Sequence, residues 1–224
     1  MTEIICDSSS LISLSESCNV DALRFLKKNC GTRFLIPPAV FYECVAHPLH
    51  VKQYAFSAIR LKRLAEEKVL EVFNQPQLAN EAKNVLNNSN NFLSFRRTPL
   101  KLLQAGEAEC LALLKLGVGN ALLVDEKTTR LLVEAPEVLL RALKNEYRGE
   151  LRTDEKHLQE FRRGFENLPI LRSTEILSIA FSKGFFSNYA ASAPLAFHSA
   201  LYLLQQKGCS ISSHELDEYE EVID

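Results

Sequence analysis

The stretch Met1-Thr-Glu-Ile-Ile-Cys-Asp-Ser-Ser-Ser-Leu11 decides the fold of this chain. Its apolar run from Ile4 to Cys6 predicts a buried parallel strand, and the run that begins at Leu11 predicts a helix after it. Asp7 therefore lies at the carboxyl edge of the predicted sheet, where open α/β sheets bind ligands. The simpler alternative is that Asp7 only caps the next helix, as aspartate often does.

Length and composition indicate a globular protein with a sizeable core. The chain has 224 residues, of which 46% are apolar and 24% are charged, so we predict a single domain over residues 1–224. The net charge of −2 argues against a protein that binds nucleic acid by bulk charge alone, although it allows a local basic patch. Because no apolar run reaches about eighteen residues, we expect no membrane partner.

The cysteines and the first residues suggest where the protein works. None of the six cysteines forms a C-x-x-C pair, and most have apolar neighbours, which argues against a zinc cluster and a secreted disulfide framework. Acidic Glu3 and Asp7 interrupt the N-terminal stretch, so we expect no signal peptide. We therefore predict a cytoplasmic protein with reduced, mostly buried thiols. The five histidines are scattered and fit no metal-ligand spacing.

Further apolar runs predict a parallel sheet and the helices around it. Besides residues 4–6, strands are predicted at 33–36, 69–73, 121–124 and 168–171, with 69–73 at an edge of the sheet. Two segments look different. Residues 74–98 are rich in asparagine and predict a short helix around 78–85 followed by a mobile loop.

The second distinct segment, 134–166, is strongly charged and helical in pattern, and it predicts an inserted helical hairpin or lid. C-terminal helices are expected within 193–224. The loop predicted before residue 98 ends in Phe95-Arg96-Arg97 and also contains Phe92. A basic loop flanked by aromatic residues can bind a phosphate backbone and stack bases, although such loops are more often only solvated. We predict that Arg96 and Arg97 bind substrate in preference to the basic residues of the insertion.

Four carboxylates fall at comparable positions of the predicted fold. Asp7 and Asp125 end apolar strands, while Glu43 and Glu107 lie in helices that follow turns. Converging carboxylates repel one another unless cations bind between them. A set of oxygen ligands without His or Cys favours Mg²⁺ or Mn²⁺ over zinc. Two such ions are a common arrangement for cutting phosphodiesters.

The choice of Glu107 over Glu109 rests on helical spacing. Glu107 shares a helix stripe with Leu111, whereas Glu109 lines up with Leu113, so the spacing favours Glu107 only modestly. We interpret Glu109 and Glu126 as surface acids, either of which could still reach a metal through water.

Four motifs that contain these acids follow one another along the chain. They are Ile-Ile-Cys-Asp7-Ser-Ser-Ser-Leu-Ile, Phe-Leu-Ile-Pro37-Pro-Ala-Val-Phe-Tyr-Glu43-Cys-Val, Gly106-Glu107-Ala-Glu109-Cys-Leu-Ala-Leu and Leu-Leu-Val-Asp125-Glu-Lys-Thr. In this order they resemble the motifs of PIN-domain ribonucleases. The resemblance covers residues 3–133 and resumes more weakly at 168–211, and it is closest to the prokaryotic, toxin-like subgroup with a Gly-Glu-Ala-Glu helix.

The resemblance implies a three-layer α/β/α fold with a central parallel sheet of four to five strands, elaborated by the helical insertion at 134–166. It also implies a Mg²⁺- or Mn²⁺-dependent endoribonuclease acting on single-stranded or structured RNA. The implied catalytic and metal-binding acids are Asp7, Glu43, Glu107 and Asp125. Ser8 or Ser9 would help to position the first acid and to contact substrate.

The same resemblance implies an antitoxin protein as inhibitory partner and a homodimer. Two other interpretations stay open at this point. One is a PIN-fold scaffold that binds without cleaving, against which the complete set of four acids argues. The other is a phosphatase that uses Asp7 as nucleophile, which is disfavoured because no second aspartate stands two residues further on.

Overall fold

The computed structural model describes residues 2–148 and 151–221. Residues 149 and 150 of the predicted insertion and 222–224 of the predicted C-terminal helices lie outside the described residues. The strands are Glu3–Cys6 (β1), Arg33–Ile36 (β2), Leu70–Val72 (β3), Leu93–Phe95 (β4), Thr98–Pro99 (β5), Ala121–Leu123 (β6), Leu151–Thr153 (β7) and Ile170–Leu171 (β8).

Twelve α-helices occur in the described ranges. They are Ser8–Glu16 (α1), Asp21–Cys30 (α2), Pro38–Phe41 (α3), Ala55–Glu66 (α4), Leu78–Asn91 (α5), Ala105–Lys115 (α6), Lys127–Glu134 (α7), Pro136–Glu146 (α8), Glu155–Arg162 (α9), Ser173–Ser182 (α10), Ala193–Gln206 (α11) and Ser213–Glu221 (α12). Short 3₁₀ segments lie at Pro48–His50 and Ser187–Ser192. In the described ranges, no helix combines the length and the apolar character that crossing a membrane requires.

The central sheet has five parallel strands in the order β3-β2-β1-β6-β8. The chain moves from β1 through β2 to β3 and then crosses back to β6 and β8, so right-handed crossovers place helices on both faces. In agreement, α1 packs against α4 and α10, while α6 packs against α5, β1 and β6. The predicted three-layer α/β/α arrangement and the edge position of β3 are confirmed.

The middle strands are buried because helices cover both of their faces. Ile5 and Phe34 are fully buried, and Leu122 is 1% exposed. Fully burying one such side chain contributes roughly 1.5–3 kcal/mol. The apolar strands that the sequence predicts are therefore the centre of the core. Of the six thiols, Cys18 and Cys30 are exposed and the other four are buried, all of them free.

The predicted mobile loop before residue 98 is wrong. Helix α5 continues to Asn91, and β4 and β5 then form an antiparallel hairpin whose turn holds Arg96 and Arg97. The Asn90 side chain orders this region, because its Oδ1 accepts from the N–H groups of Leu102 and Leu103 at 2.7 and 2.9 Å. Asparagines that indicate a loop in the sequence are here a helix end tied to the following chain.

The 134–166 insertion is only partly the predicted helical hairpin. Helices α8 and α9 are present, but β7 lies between them and pairs antiparallel with β4. A strand of three residues gives almost no periodicity, so local pattern does not predict it. Helix α9 packs against α5, so the insertion is attached through both the small sheet and a helix pair.

The C-terminal helices are joined to the domain by Arg172. Its guanidinium forms ion pairs with Glu175 at 2.8 Å and Glu215 at 2.7 Å, and the Tyr219 hydroxyl donates to Glu175 at 3.1 Å. The carboxylates raise the pKa of Arg172. The Ser212 N–H and the Arg172 guanidinium lower the pKa of Glu215 to about 2 despite its partial burial. These contacts hold α12 against α10, which begins beside the end of β6.

A candidate active site at the carboxyl edge of the sheet

The strand order reverses between β1 and β6, and such switch points form the ligand crevice of open α/β sheets. Cys6 and Leu123 are register partners at the ends of these two strands, and the Asp7 N–H donates to the Leu123 carbonyl at 2.9 Å. Asp7 follows β1 directly and Asp125 follows β6 after Val124, so two of the four predicted acids lie at the switch point.

Asp7 is both a helix cap and a candidate ligand. Its Oδ2 accepts from the Ser9 N–H at 3.0 Å and the Ser9 hydroxyl at 2.7 Å, which caps α1. Its Oδ1 is buried with no hydrogen-bond partner among the described residues. Burial raises the pKa of Asp7, and the nearby charge of Glu43 adds to this despite the Ser9 hydrogen bonds. The cap is therefore observed on one oxygen, while the other oxygen is free of protein donors among the described residues and its role as a ligand stays a prediction.

Glu43 reaches the same edge from the segment after β2. Pro38 is at the first position of α3, where its missing N–H costs nothing. The helix then widens into a π-helical turn, Tyr42–Ala46, of a kind often found at functional sites. The Ser8 hydroxyl donates to Glu43 Oε2 at 3.0 Å, and the Gly106 N–H donates to Oε1 at 3.2 Å. Glu43 thus connects the start of α1 to the start of α6.

Gly106 is required by the position of Glu43. A Cβ atom at residue 106 would lie 2.5 Å from Glu43 Oε2 and 2.9 Å from its Cδ, distances that real contacts almost never show. The glycine of the Gly-Glu-Ala-Glu motif therefore lets a carboxylate approach the helix backbone. Its role is visible only once Glu43 is placed beside it.

Glu107 lies in the first turn of α6 and points towards the same edge. Its Oε2 accepts from the Gln104 N–H at 2.7 Å, and its Oε1 accepts from the Thr129 hydroxyl. Partial burial, with the charges of Asp7 and Glu126 adding, raises the pKa of Glu107 to about 7. Glu107 therefore shares an electrostatic environment with Asp7 and exchanges a proton close to neutral pH.

The other two acids near this edge are not simple surface residues. Glu109 is half-buried and its Oε2 accepts from the Ala39 N–H at 2.8 Å, which caps α3. Glu126 caps α7 by accepting from the Thr129 N–H at 2.6 Å, and its charge contributes to the raised pKa of Glu107. Both are only partly buried and each caps a helix, so they have a structural role that the sequence did not predict. Whether either reaches a metal through water stays a prediction.

Asp125 is fully buried and is held by α10. Its Oδ1 accepts from the Ser173 N–H and its Oδ2 from the Ser173 hydroxyl, both at 2.7 Å. The Asp125 N–H donates to the Ser9 hydroxyl at 3.1 Å, and this hydroxyl in turn donates to Asp7. Asp125 is thus coupled to the site through Ser9, while its carboxylate anchors the start of α10. Its role as a metal ligand stays a prediction.

The oxygen atoms of the acids are the kind of ligand that a hard divalent cation prefers, but they are not already arranged as a metal site. The acids offer oxygen only, and Asp7 Oδ1 is an acceptor without a donor among the described residues. Within the described ranges, however, no three His, Cys, Asp or Glu side chains converge as a complete ligand set. Glu43 and Glu107 are held by Ser8, Gly106, Gln104 and Thr129, so binding an ion would require these hydrogen bonds to be exchanged.

The predicted substrate-binding hairpin differs from expectation in its aromatic residues. Arg96 and Arg97 are exposed at the turn, with φ of 49° and 69°. Phe92 is fully buried, so it cannot stack a base as predicted. Phe95 packs against Tyr147 at 4.9 Å between ring centroids, and the Arg96 guanidinium lies over its ring at 5.0 Å.

Comparison with known families shows which family this chain belongs to. A family model described as a PIN domain matches residues 3–141, more than half of the 224-residue chain. This chain belongs to the PIN-domain family. No curated protein and no solved structure matches it. All four predicted acids lie inside the matched part, whereas α9 to α12 lie beyond it.

PIN domains are generally nucleases, and the family generally uses divalent metal ions. The fold and family implied by the resemblance are therefore confirmed, while the toxin-like subgroup stays a prediction. In this PIN domain the sequence also missed Thr129 and Ser173 as partners of Glu107 and Asp125. Serine is a residue type common at the start of a helix, which is a signal for Ser173. The carboxylate that accepts its hydrogen bonds, Asp125, lies 48 residues away in the chain.

Proposed function

We propose that this PIN domain is an endoribonuclease that depends on Mg²⁺ or Mn²⁺ and cleaves single-stranded or structured RNA. The observation that carries the proposal is the buried Asp7 Oδ1, which has no hydrogen-bond partner among the described residues and is coupled by charge to Glu43 and Glu107. An unpartnered buried carboxylate oxygen is costly, and a bound cation would remove that cost.

In this proposal Ser9 fixes the orientation of Asp7 so that Oδ1 stays available. Glu43 and Glu107 complete the ligand shell or hold water, after releasing Ser8 and Thr129. Divalent ions of this kind lower the pKa of a bound water and offset charge on a phosphodiester. The pKa of Glu107, about 7 without metal, would fall when a cation binds, so Glu107 would act in the loaded site as an ionised oxygen ligand. Asp125 is the fourth proposed ligand, and in its present position it keeps α10 beside the site.

The proposed substrate contacts are Ser8 and Ser9 at the site and Arg96 and Arg97 on the hairpin. The hairpin leads into the segment before α6, so it is tethered close to the helix that carries Glu107. By the same proposal the protein acts in the cytoplasm as a homodimer, with an antitoxin protein as inhibitory partner. These partners are supported by the resemblance to prokaryotic toxins alone.

A second candidate function is a PIN-fold module that binds without cleaving. It is favoured by one observation, namely that all the acids have internal hydrogen-bond donors and no three of them converge within the described ranges. The two candidates differ in whether RNA is cut when Mn²⁺ is supplied.

The deciding experiment is cleavage of single-stranded RNA by the wild type, Glu107→Gln and Glu109→Gln with Mn²⁺, with Mg²⁺ and with chelator. We expect cleavage that requires metal, is abolished in Glu107→Gln and is mostly retained in Glu109→Gln. The Glu109 variant is the matched control, because it is the same change on the same helix and keeps an oxygen acceptor for Ala39. Equal activity of the wild type and both variants would indicate a contaminating nuclease and would favour the binding module.

A further inference from the structure

A cavity of about 260 Å³ opens directly beside the acids. It lies between α1, the turn that carries Glu43 and the first residues of α4. Its walls are mainly apolar, and Glu43 lines it, so the cavity adjoins the candidate active site. The polar residues of its lining are Glu16, Glu43, His47, Tyr54 and Ser57, and Ile12 and Cys44 are among the apolar ones.

The walls suit a flat ring with a polar edge. Ile12 and Cys44 offer apolar surface. The Ser57 hydroxyl oxygen is buried without a hydrogen-bond partner among the described residues, so it can donate to or accept from a ligand edge. The volume is below the roughly 300–1,000 Å³ of sites for whole drug-sized ligands, which favours one base over a complete nucleotide.

Exposed aromatic rings lie at the rim of the cavity or next to its lining residues in the chain, and one of these rings carries an arginine that faces the neighbouring groove. Tyr54 at its rim is 48% exposed, and Tyr42 and Phe56 are 59% and 65% exposed. The Arg60 guanidinium lies over the Phe56 ring at 4.1 Å and donates to the Ser15 carbonyl at 2.6 Å. Aromatic faces interleaved with arginine are the usual surface for stacking single-stranded RNA. On the hairpin, Phe92 is buried and the Phe95 ring packs against Tyr147, so less aromatic surface is open there.

We propose that this cavity receives one base of single-stranded RNA, with Tyr54 stacking on it, beside the phosphate that faces Asp7 and Glu43. The inference rests on the proposed nuclease function for the position of the phosphate, but base binding itself does not require cleavage. Glu43 is common to both sites: its carboxylate is held by Ser8 and Gly106, and its side chain forms part of the cavity wall. The cavity would thus fix which nucleotide precedes or follows the cut.

The test uses a short single-stranded RNA that carries one 2-aminopurine, whose fluorescence falls when it stacks, with the Asp7→Asn protein in chelator. Two variants are added to that background: Tyr54→Ala, which opens the cavity, and Ser57→Leu, which fills it. Tyr202→Ala is the matched control, because Tyr202 is also exposed at 43% but lies on α11, outside the cavity lining. Melting curves verify that each variant is folded.

We expect both cavity variants to weaken RNA binding by about 5- to 100-fold, the range that corresponds to losing one stacked base, and to abolish the fluorescence change. Tyr202→Ala should alter neither. Unchanged binding in both cavity variants, an equal loss in the control, or no RNA binding at all would overturn the proposal. The proposal would also be overturned if a cavity variant dissociated a dimer, or released a protein partner, without changing RNA binding. If these binding results hold but the wild type cuts no RNA with Mn²⁺, only the nuclease proposal fails.

Discussion

Replacing Glu107 by glutamine should stabilise the metal-free protein at neutral and alkaline pH. The substitution removes the charge and can keep both hydrogen bonds. The Gln104 N–H can donate to the amide oxygen, and the Thr129 hydroxyl can turn to accept from the amide nitrogen instead of donating. The difference between the two proteins is then mainly the cost of ionising a carboxyl group that is partly buried among other acids.

The size of that cost follows from the raised pKa. The pKa of Glu107 is about 7, compared with an ordinary value of 4.5. Each unit corresponds to about 1.4 kcal/mol, which gives an upper limit of roughly 3.5 kcal/mol. Because Glu107 is only partly buried, solvent screens part of this cost, and we expect about 1–2 kcal/mol. For a chain of this length that is a rise in melting temperature of roughly 2–8 °C.

The dependence on pH has a definite sign. Below about pH 4.5, Glu107 is protonated in both the folded and the unfolded state, so its ionisation costs nothing. Between 4.5 and about 7 the unfolded chain releases this proton while the folded protein retains it, so the stability of the wild type falls as pH rises. Above about 7 the loss is complete. The advantage of Glu107→Gln should therefore grow across this interval and then level off.

Urea unfolding in chelator, at pH values below, within and above that interval, measures the difference directly. Glu109→Gln is the matched control, since it removes the same charge two residues further along α6. An equal gain in the control would mean that removing any negative charge stabilises the protein. A gain for Glu107→Gln that does not change with pH, or a loss at alkaline pH, would refute the reasoning.

Three further outcomes are expected. Mn²⁺ should raise the melting temperature of the wild type more than that of Asp7→Asn, which without metal should itself melt higher because a buried charge is removed. Gly106→Ala should change the free energy of unfolding by less than about 1 kcal/mol, since alanine favours the helix, but should abolish RNA cleavage by displacing the Glu43 carboxylate. Arg96→Ala/Arg97→Ala should reduce the salt dependence of RNA binding by about one unit of slope for each phosphate that the variant no longer binds.

Each of these outcomes has its own control. Identical responses of wild type and Asp7→Asn to Mn²⁺ would place the metal elsewhere. Gly164→Ala matches Gly106→Ala, because its Cβ would also displace a flexible side chain, that of Lys115 at 2.9 Å, and it should leave cleavage intact. Changing Arg162 and Arg163 together should affect RNA binding much less than changing the hairpin pair. A larger effect of changing Arg162 and Arg163 would make the insertion the RNA-binding element.

Local patterns were sufficient for the main elements of the fold and for the order of the motifs. The apolar run before Asp7 needs burial on both faces, and only a central parallel strand provides it. The predicted edge strand, now β3, and the placement of Asp7 and Asp125 after neighbouring strands follow from the same reasoning. By contrast, the hairpin at Arg96 and Arg97 lacks the Asn-Gly or Gly residues that usually mark such turns, so its sequence gives no hairpin signal.

The periodicity of a strand or a helix is set by residues close together in the chain. The amino-acid sequence was therefore enough to place the acids at strand ends and helix starts. What each carboxylate contacts became visible only in the folded chain. Asp7 keeps one oxygen unpartnered, Asp125 is held by Ser173, and Glu109 caps α3 through an amide 70 residues away. Such partners are set by how the helices pack on the sheet, which no local spacing encodes, and they distinguish a carboxylate that is open to a ligand from one that anchors a helix.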